Sequence, residues 1–160
     1  MEVERINPAA LWQPALFTQV VAARGGKLVF VSGQVAFDAR QQLVGGGDLA
    51  RQAQVAFQNL RLALAAGGAT PGDVVKLNVY VVNYQERDIA AVEAAIGGCF
   101  GPWRGFACTL VGVTSLARAG LLIEVEAVAV VSDEGGPGAG EPNSGPRTGA
   151  EAPAEATARP

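Results

Sequence analysis

The 160-residue chain contains no histidine, and this absence restricts its chemistry more than any other feature of its composition. Catalytic systems of the Ser-His-Asp and Cys-His types, histidine general bases and histidine-containing zinc sites are all excluded. Any proton transfer must therefore use a carboxylate, a tyrosine, a lysine, a cysteine or a water molecule.

Cysteine is also scarce, because only Cys99 and Cys108 are present. The two residues do not form a C-x-x-C pair, which argues against a zinc ribbon and against a dithiol redox site. Isolated cysteines of this kind are more often small buried apolar residues than disulfide partners. We therefore expect two free thiols and no metal site.

The chain lacks clustered positive charge, with 12 Lys and Arg residues against 15 Asp and Glu residues and a net charge of −3. Surfaces that bind nucleic acid or anionic membranes need clustered Lys and Arg, so we expect neither partner. No apolar run approaches the ~18 residues of a membrane-spanning helix. The N-terminus also lacks the apolar stretch of a signal peptide, and these features together predict a cytoplasmic protein.

Composition changes sharply after Val131. Residues 132–160 consist mainly of Gly, Pro, Ala and Glu and contain no Val, Leu or Ile. Such a segment cannot bury enough apolar surface to offset the entropy of ordering its chain. We predict one folded domain over residues 1–131 and a disordered tail over residues 132–160.

The patterns within the folded part predict an α+β domain with the element order ββαβαββ. Five or six strands and two helices form two layers, with both helices on one face of a mixed sheet. The first two strands are expected to form a hairpin that turns at Gly25 and Gly26, and Gly33 inside the second strand indicates a bulge or a close backbone approach. The predicted strands are 17–24, 27–38, 74–83, 106–116 and 121–131, and the predicted helices are 49–66, N-capped by Asp48, and 86–100.

The last strand, LLIEVEAVAVV at 121–131, is largely apolar on both of its alternating faces. A strand of this kind needs cover on both faces. Two helices cover one face of the sheet, and nothing else in the folded part can cover the other. We therefore expect a second copy of the sheet to cover it, which implies a homo-oligomer.

Two carboxylates, Glu124 and Glu126, interrupt this strand and point to the same face, about 7 Å apart. That face is the one assigned to the contact between copies. Two interpretations are open for an acid there. The acid is either a rim residue paired with Arg or Lys of the neighbouring copy, or a residue of an inter-subunit cleft that activates a water. We favour the first interpretation for Glu126 and consider the second for Glu124.

Three stretches of the chain resemble the Rid family, also called the YjgF or reactive-intermediate deaminase family. They are FVSGQVAFD at 30–38, GDVVKLNVYVVN at 72–83 and LLIEVEAVAV at 121–130. The resemblance implies a chorismate-mutase-like fold, a homotrimer and a small-molecule cleft at each subunit interface. Members of the RidA type hydrolyse reactive enamines and imines to 2-oxo acids and ammonia, and they use no metal and no organic cofactor.

The resemblance also implies roles for individual residues of the cleft. It places Glu124 beside the attacking water, and it places Ser32 and Gly33 along the cleft wall. A tyrosine position of the family falls on Phe17. The arginine that grips the substrate carboxylate in the family, in a motif like P-A-R-[ST], falls on Cys108 within FACT.

The cysteine at position 108 leaves two functions open. Losing the arginine removes a bidentate, charge-assisted contact with a substrate carboxylate. Arg104 in the preceding loop is the candidate replacement, and Cys108 itself is either strand filler or a thiol that faces a less acidic ligand. The chain is therefore either an enamine or imine hydrolase, or a non-catalytic binding or regulatory trimer that has lost the deaminase activity.

Overall fold

A computed structural model describes residues 1–15, 17–102 and 105–133 of the chain. Arg104 and residues 134–160 of the predicted tail lie outside these ranges. No α-helix in the described ranges is long and apolar enough to cross a membrane. The elements are β1 (Glu2–Ile6), β2 (Val20–Arg24), β3 (Lys27–Val35), α1 (Leu49–Ala66), β4 (Val74–Val82), α2 (Ile89–Phe100), β5 (Ala107–Val113) and β6 (Ile123–Val131).

The strands form a four-stranded sheet in the order β3-β6-β4-β5 and a separate two-stranded sheet of β1 and β2. In the larger sheet, β6 is antiparallel to both β3 and β4, whereas β4 and β5 are parallel. Helix α1 packs against β3, β6 and α2 on one face of this sheet. The predicted α+β class, with two helices on one face of a mixed sheet, is confirmed.

The predicted hairpin between the first two strands is wrong. β2 pairs with β1, a strand that the sequence analysis did not predict, and β3 pairs with β6. Gly25 and Gly26 do turn the chain, both with positive φ values of 70° and 88°, but the turn leads from one sheet into the other. The reason is burial, because β2 is exposed along most of its length whereas β3 buries Val31 beneath the helices.

Helix α1 has the predicted bounds, and its ends follow from local chemistry. The side chain of Asp48 accepts a hydrogen bond from the backbone N–H of Arg51 at 3.2 Å, which satisfies one of the free donors of the first turn. The predicted apolar stripe faces the sheet. Its buried members are Ala53, Ala56, Phe57, Leu60 and Leu64, and Ala63 is half-buried.

One polar side chain, that of Gln52, is fully buried in the first turns of α1 and fixes the approach to the last strand. Its amide nitrogen donates to the carbonyl oxygens of Gly46 and Gly120, and its amide oxygen accepts from the N–H of Leu122 at 2.8 Å. A buried polar group is stable only when it is paired in this way. These bonds connect α1 to the loop before β6 and so help to position Glu124.

The two faces of β6 lie in different surroundings, as predicted. The set that faces the helices is buried, with exposed fractions between 0% for Ile123 and 3% for Ala127. The opposite face of the four-stranded sheet, called the outer face below, is exposed or half-buried over most of its area, although Val130 at one end of it is only 2% exposed. It carries Leu28, Phe30, Lys76, Asn78, Tyr80, Thr109, Val111, Glu124, Glu126 and Val128.

Large apolar side chains are exposed on this outer face. The exposed fraction is 73% for Phe30, 56% for Leu28 and 41% for Val111. Leu28 and Phe30 lie together on β3, and Val111 lies on β5 at the opposite edge of the sheet. An exposed apolar patch such as that of Leu28 and Phe30 can mark an interaction site. The observation fits the predicted contact between copies, which stays a prediction.

Candidate functional site

Ser32, Gly33 and Glu124 lie together on the outer face. The pairing of β3 with β6 shifts register between Val31 and Gln34, so Ser32 and Gly33 form the predicted irregularity. A Cβ atom built on Gly33 would lie 1.6 Å from Oε1 of Glu124. The carboxylate therefore lies against the backbone of Gly33, and a residue with a side chain would displace it.

The carboxylate of Glu124 is open to a ligand or a water. Its side chain is half-buried, and no residue in the described ranges donates a hydrogen bond to it. On β4 the residue directly opposite is Tyr80, whose hydroxyl is engaged elsewhere. A half-buried carboxylate without a protein donor binds water or a ligand donor.

Glu126 is instead fixed within its own chain. Its Oε1 accepts hydrogen bonds from Nδ2 of Asn78 and from the hydroxyl of Tyr80, both at 2.8 Å. The Asn78 bond, the Tyr80 bond and, more weakly, the charge of Lys76 hold the pKa of Glu126 below its ordinary value, although burial opposes them. The same hydrogen bond with Glu126 raises the pKa of Tyr80. The predicted ion pair with a neighbouring copy is therefore not required to hold this acid.

Cys108 and Phe17 lie apart from Glu124 within one chain. Cys108 is paired with Leu77, which is fully buried beneath the helices, and it packs against the same core. It is therefore on the sheet face opposite to Glu124. Phe17 packs against this core too and makes an edge-to-face contact with Trp12, with 5.7 Å between ring centroids.

Both cysteines are free thiols, as predicted. Burial raises the pKa of Cys108 to about 11, and the charge of Lys76 offsets this only in part. Burial likewise raises the pKa of Cys99 to about 11, with a smaller opposing contribution from Arg61. Each thiol is protonated at neutral pH, so neither has the thiolate character of a nucleophile.

The predicted site residues therefore form two groups in a single chain. Ser32, Gly33 and Glu124 make the first group, and Phe17 and Cys108 make the second. Glu124 on β6 and Cys108 on β5 are separated by β4, which is about 10 Å across the sheet, and they face opposite sides. The two groups can line one cleft only when one copy supplies the first and a neighbouring copy supplies the second.

The structure reveals a cation that the sequence analysis missed. Lys76 lies on the outer face, where its Nζ donates a hydrogen bond to Oγ1 of Thr109 at 2.6 Å. It lines a groove of about 370 Å³ together with Ser32, Asn78 and Glu126. The sequence does carry the pattern, since Lys76, Asn78 and Tyr80 alternate with the apolar residues Leu77, Val79 and Val81.

No cluster of side chains suited to a metal ion occurs among the residues that the structure describes. The site is instead a polar strip on an otherwise apolar sheet face, with one carboxylate locked by hydrogen bonds and one open. This arrangement defines a small α+β protein with a candidate ligand site on the uncovered face of its sheet.

Comparison with known proteins identifies the family. The family described as Endoribonuclease L-PSP matches residues 9–131, which is nearly the whole folded part. The chain belongs to this family, which includes the YjgF and Rid proteins.

Solved structures agree with this assignment. YyfB from Yersinia pestis, a member of the Rid family, is 40% identical, has a TM-score of 0.76 and is matched over 82% of this chain and 100% of its own. RidA from an Antarctic Psychrobacter is 28% identical with a TM-score of 0.56, over 78% of this chain and 93% of its own. The resemblance drawn from the sequence is confirmed for the family and the fold.

Two relatives of known or assigned family match this chain over similar numbers of residues. A 2-iminobutanoate/2-iminopropanoate deaminase from Dermatophagoides farinae is 31% identical over 111 residues, covering 69% of this chain and 83% of the relative. The RutC family protein YjgH from Escherichia coli is 33% identical over 115 residues, covering 71% and 82% respectively.

We predict that Gly33→Ala displaces the carboxylate of Glu124 while leaving the fold intact. The new methyl group takes the place now occupied by Oε1, and the flexible glutamate side chain can rotate away. Urea unfolding should change by less than about 1 kcal/mol, whereas a crystal structure should show Glu124 moved. Gly47→Ala is the matched control, because a Cβ built there has no neighbour within 4 Å. A Glu124 side chain that stays in place would contradict the close approach.

The hydrogen bonds to Glu126 predict a specific loss of stability in acid. Because the pKa of Glu126 is lowered in the folded chain, its contribution is complete above the ordinary value of 4.5 and is lost as pH falls through the folded value. In the wild type, the free energy of unfolding measured with urea should be lower at pH values below about 4 than at pH 6. Glu126→Gln should show less of this loss, and Glu4→Gln on the separate sheet should behave like the wild type. Equal acid dependence in all three proteins would argue against the bonds.

Proposed function

We propose that the protein hydrolyses reactive enamines or imines to oxo compounds and ammonia, in a cleft between subunits of a homotrimer. The observation that supports this most directly is the carboxylate of Glu124, which lies against Gly33 and has no donor among the described residues. Among the described residues, it is the acid best placed to hold and activate a water.

The chemistry asks little of the protein, because the imine carbon is already electrophilic. The site must anchor the substrate, orient one water and move a proton. Glu124 accepts a proton from the water while the water oxygen bonds to the imine carbon, and it then gives that proton to the nitrogen, which yields a carbinolamine. Glu124 next accepts the hydroxyl proton of the carbinolamine and passes it to the amino nitrogen as the C–N bond breaks, which releases ammonia and leaves the carbonyl compound. No step calls for a metal or an organic cofactor.

The proposed cleft is assembled from two copies. Ser32, Gly33 and Glu124 come from the outer face of one copy, and Phe17 and Cys108 come from its neighbour. The exposed side chains of Leu28, Phe30 and Val111 supply apolar contact surface on that face, and three copies satisfy it in a closed arrangement.

The substrate we propose is an imine or enamine without the usual amino-acid carboxylate at its reacting end. Cys108 stands at the position of the family's anchoring arginine, and its thiol is neutral at physiological pH. Arg104 remains the candidate anchor for an acidic group in this cleft. The match to a protein named as an iminobutanoate and iminopropanoate deaminase supports imine chemistry, and we place that chemistry in the cytoplasm.

The second candidate function is a trimer that binds a small molecule without catalysis. The neutral Cys108 thiol favours it, because a site that has lost its anchoring cation loses a contact of about 1.5–3 kcal/mol per charge-assisted hydrogen bond. In that case the fold and the assembly are retained and the hydrolytic step is absent.

Glu124→Gln tests the proposal directly. Imines are generated in place by an amine oxidase and, in a parallel series, by an amino-acid oxidase, and ammonia release is followed. The wild type should accelerate the release, and Glu124→Gln should lower the rate by roughly 10²- to 10⁴-fold, as expected for loss of a general base.

Glu4→Gln, on the two-stranded sheet, is the matched control and should keep the full rate. Full activity in Glu124→Gln would sink the assignment of this residue. A wild type that is inactive on both imine series and becomes active only as Cys108→Arg would favour the binding function.

A further inference from the structure

The groove on the outer face beside Lys76 has the features of a second ligand site. Its volume, about 370 Å³, is within the range of small-molecule pockets. Its walls combine the apolar side chains of Phe30 and Val128 with a few polar groups. Glu124 does not line it, so the groove differs from the site proposed for hydrolysis, although Ser32 borders both.

The Lys76 ammonium group is hydrogen-bonded to one neutral group among the described residues. Nζ of Lys76 carries three protons and donates one of them to Oγ1 of Thr109. Within the described ranges it makes no ion pair, and the nearby carboxylate of Glu126 feels its charge without contacting it. Two N–H groups of the Lys76 ammonium, whose bond to Thr109 is exposed, therefore remain for an anionic group of a ligand.

Only one oxygen of the Glu126 carboxylate accepts hydrogen bonds from the described residues. Both hydrogen bonds to Glu126, from Asn78 and from Tyr80, end on Oε1. No residue in the described part of the chain donates to Oε2. The carboxylate is thus held rigidly in its charged form with one oxygen available to a ligand cation.

Ser32 adds a third polar group at the edge of the groove. Its carbonyl oxygen accepts from Nε2 of Gln34 at 3.1 Å, and its hydroxyl has no partner among the described residues. Lys76 on β4 is a diagonal neighbour of Glu126 on β6. The groove is therefore bordered by one positive and one negative side chain on adjacent strands. A lone anion would be repelled by Glu126, and a lone cation would be repelled by Lys76.

We propose that this groove binds a free α-amino acid with a small apolar side chain, in its zwitterionic form. The α-carboxylate bonds to Lys76, the α-ammonium group bonds to Oε2 of Glu126, and the side chain lies against Phe30 and Val128. Binding at this site does not require the hydrolysis proposed for Glu124, although Ser32 borders both sites. It requires only that the ligand present both charges on one carbon atom.

Self-association on the outer face strengthens the need for such a ligand. If copies pack through Leu28, Phe30 and Val111, the groove becomes enclosed, and an unpaired ammonium and a half-paired carboxylate lose their water. Burying such groups without partners is costly. A zwitterion is neutral overall and satisfies both at once.

Calorimetric titration of the full-length protein at neutral pH tests the proposal. L-2-aminobutanoate carries both charges, butanoate lacks the ammonium group, and propylamine lacks the carboxylate. Only L-2-aminobutanoate should bind with measurable heat. Lys76→Met and Glu126→Gln should each weaken its binding roughly tenfold or more, the loss expected for one charge-assisted hydrogen bond.

Lys27→Met is the matched control, because Lys27 donates to the carbonyl oxygen of Gly67 outside the groove, and it should bind like the wild type. Lys76→Met leaves the bonds of Asn78 and Tyr80 to Glu126 intact, so it reports on the ligand even if Glu126→Gln unfolds. Equal binding of butanoate would show a simple anion site and overturn the proposal. An absence of L-2-aminobutanoate binding would also overturn the proposal. If Lys76→Met then changes the mass of the assembly, side chains of a second copy fill the groove in place of a ligand. Hydrolysis is scored separately by ammonia release, so either proposal can fail without the other.

Discussion

The central position of β6 is the constraint on which the rest of the structure depends. This strand is paired on both edges, with β3 and with β4, so its alternating residues cannot turn toward an open edge and must face either the helices or the outer face. The residues facing the helices form the floor of the core. The residues facing outward include two carboxylates, on a surface that mixes apolar side chains with the polar side chains of β4. Every functional inference follows from this division, because it brings Glu124 to the bulge at Gly33 and Glu126 to the polar side chains of β4.

The two carboxylates have different surroundings although only one residue separates them. Glu126 is held by an amide and a phenol, which lower its pKa and fix one of its oxygens. Glu124 lies against a glycine backbone and has no donor in the described part of the chain. A locked carboxylate suits recognition of a cationic group, whereas an open one suits the activation of a water. Neighbouring acids on one strand can thus serve two separate sites.

Helix capping and apolar periodicity correctly predicted those parts of the fold that depend on neighbouring residues in the sequence. The cap at Asp48 and the apolar spacing from Ala53 to Leu64 gave α1 its observed bounds, and the two-residue alternation of β6 identified its two faces. β1 was missed because its sequence, EVERI, is mostly polar and forms a strand only by pairing with β2. The hairpin was wrong because partner choice depends on burial across the whole sheet. The alternation of Lys76, Asn78 and Tyr80 with apolar residues is visible in the sequence, but the bonds of Asn78 and Tyr80 to Glu126 join residues 48 and 46 positions apart, which no local pattern reveals.

The central claim is that the outer face is covered by other copies of the chain, so that the groups around Glu124 and Cys108 meet at a seam. Light scattering of the full-length protein during size-exclusion chromatography measures this most directly. The account predicts a mass three times that of the 16.3 kDa chain, and a shift to a lower mass when the exposed Phe30 is replaced in Phe30→Glu. A wild-type protein that elutes as a stable 16.3 kDa monomer would contradict it.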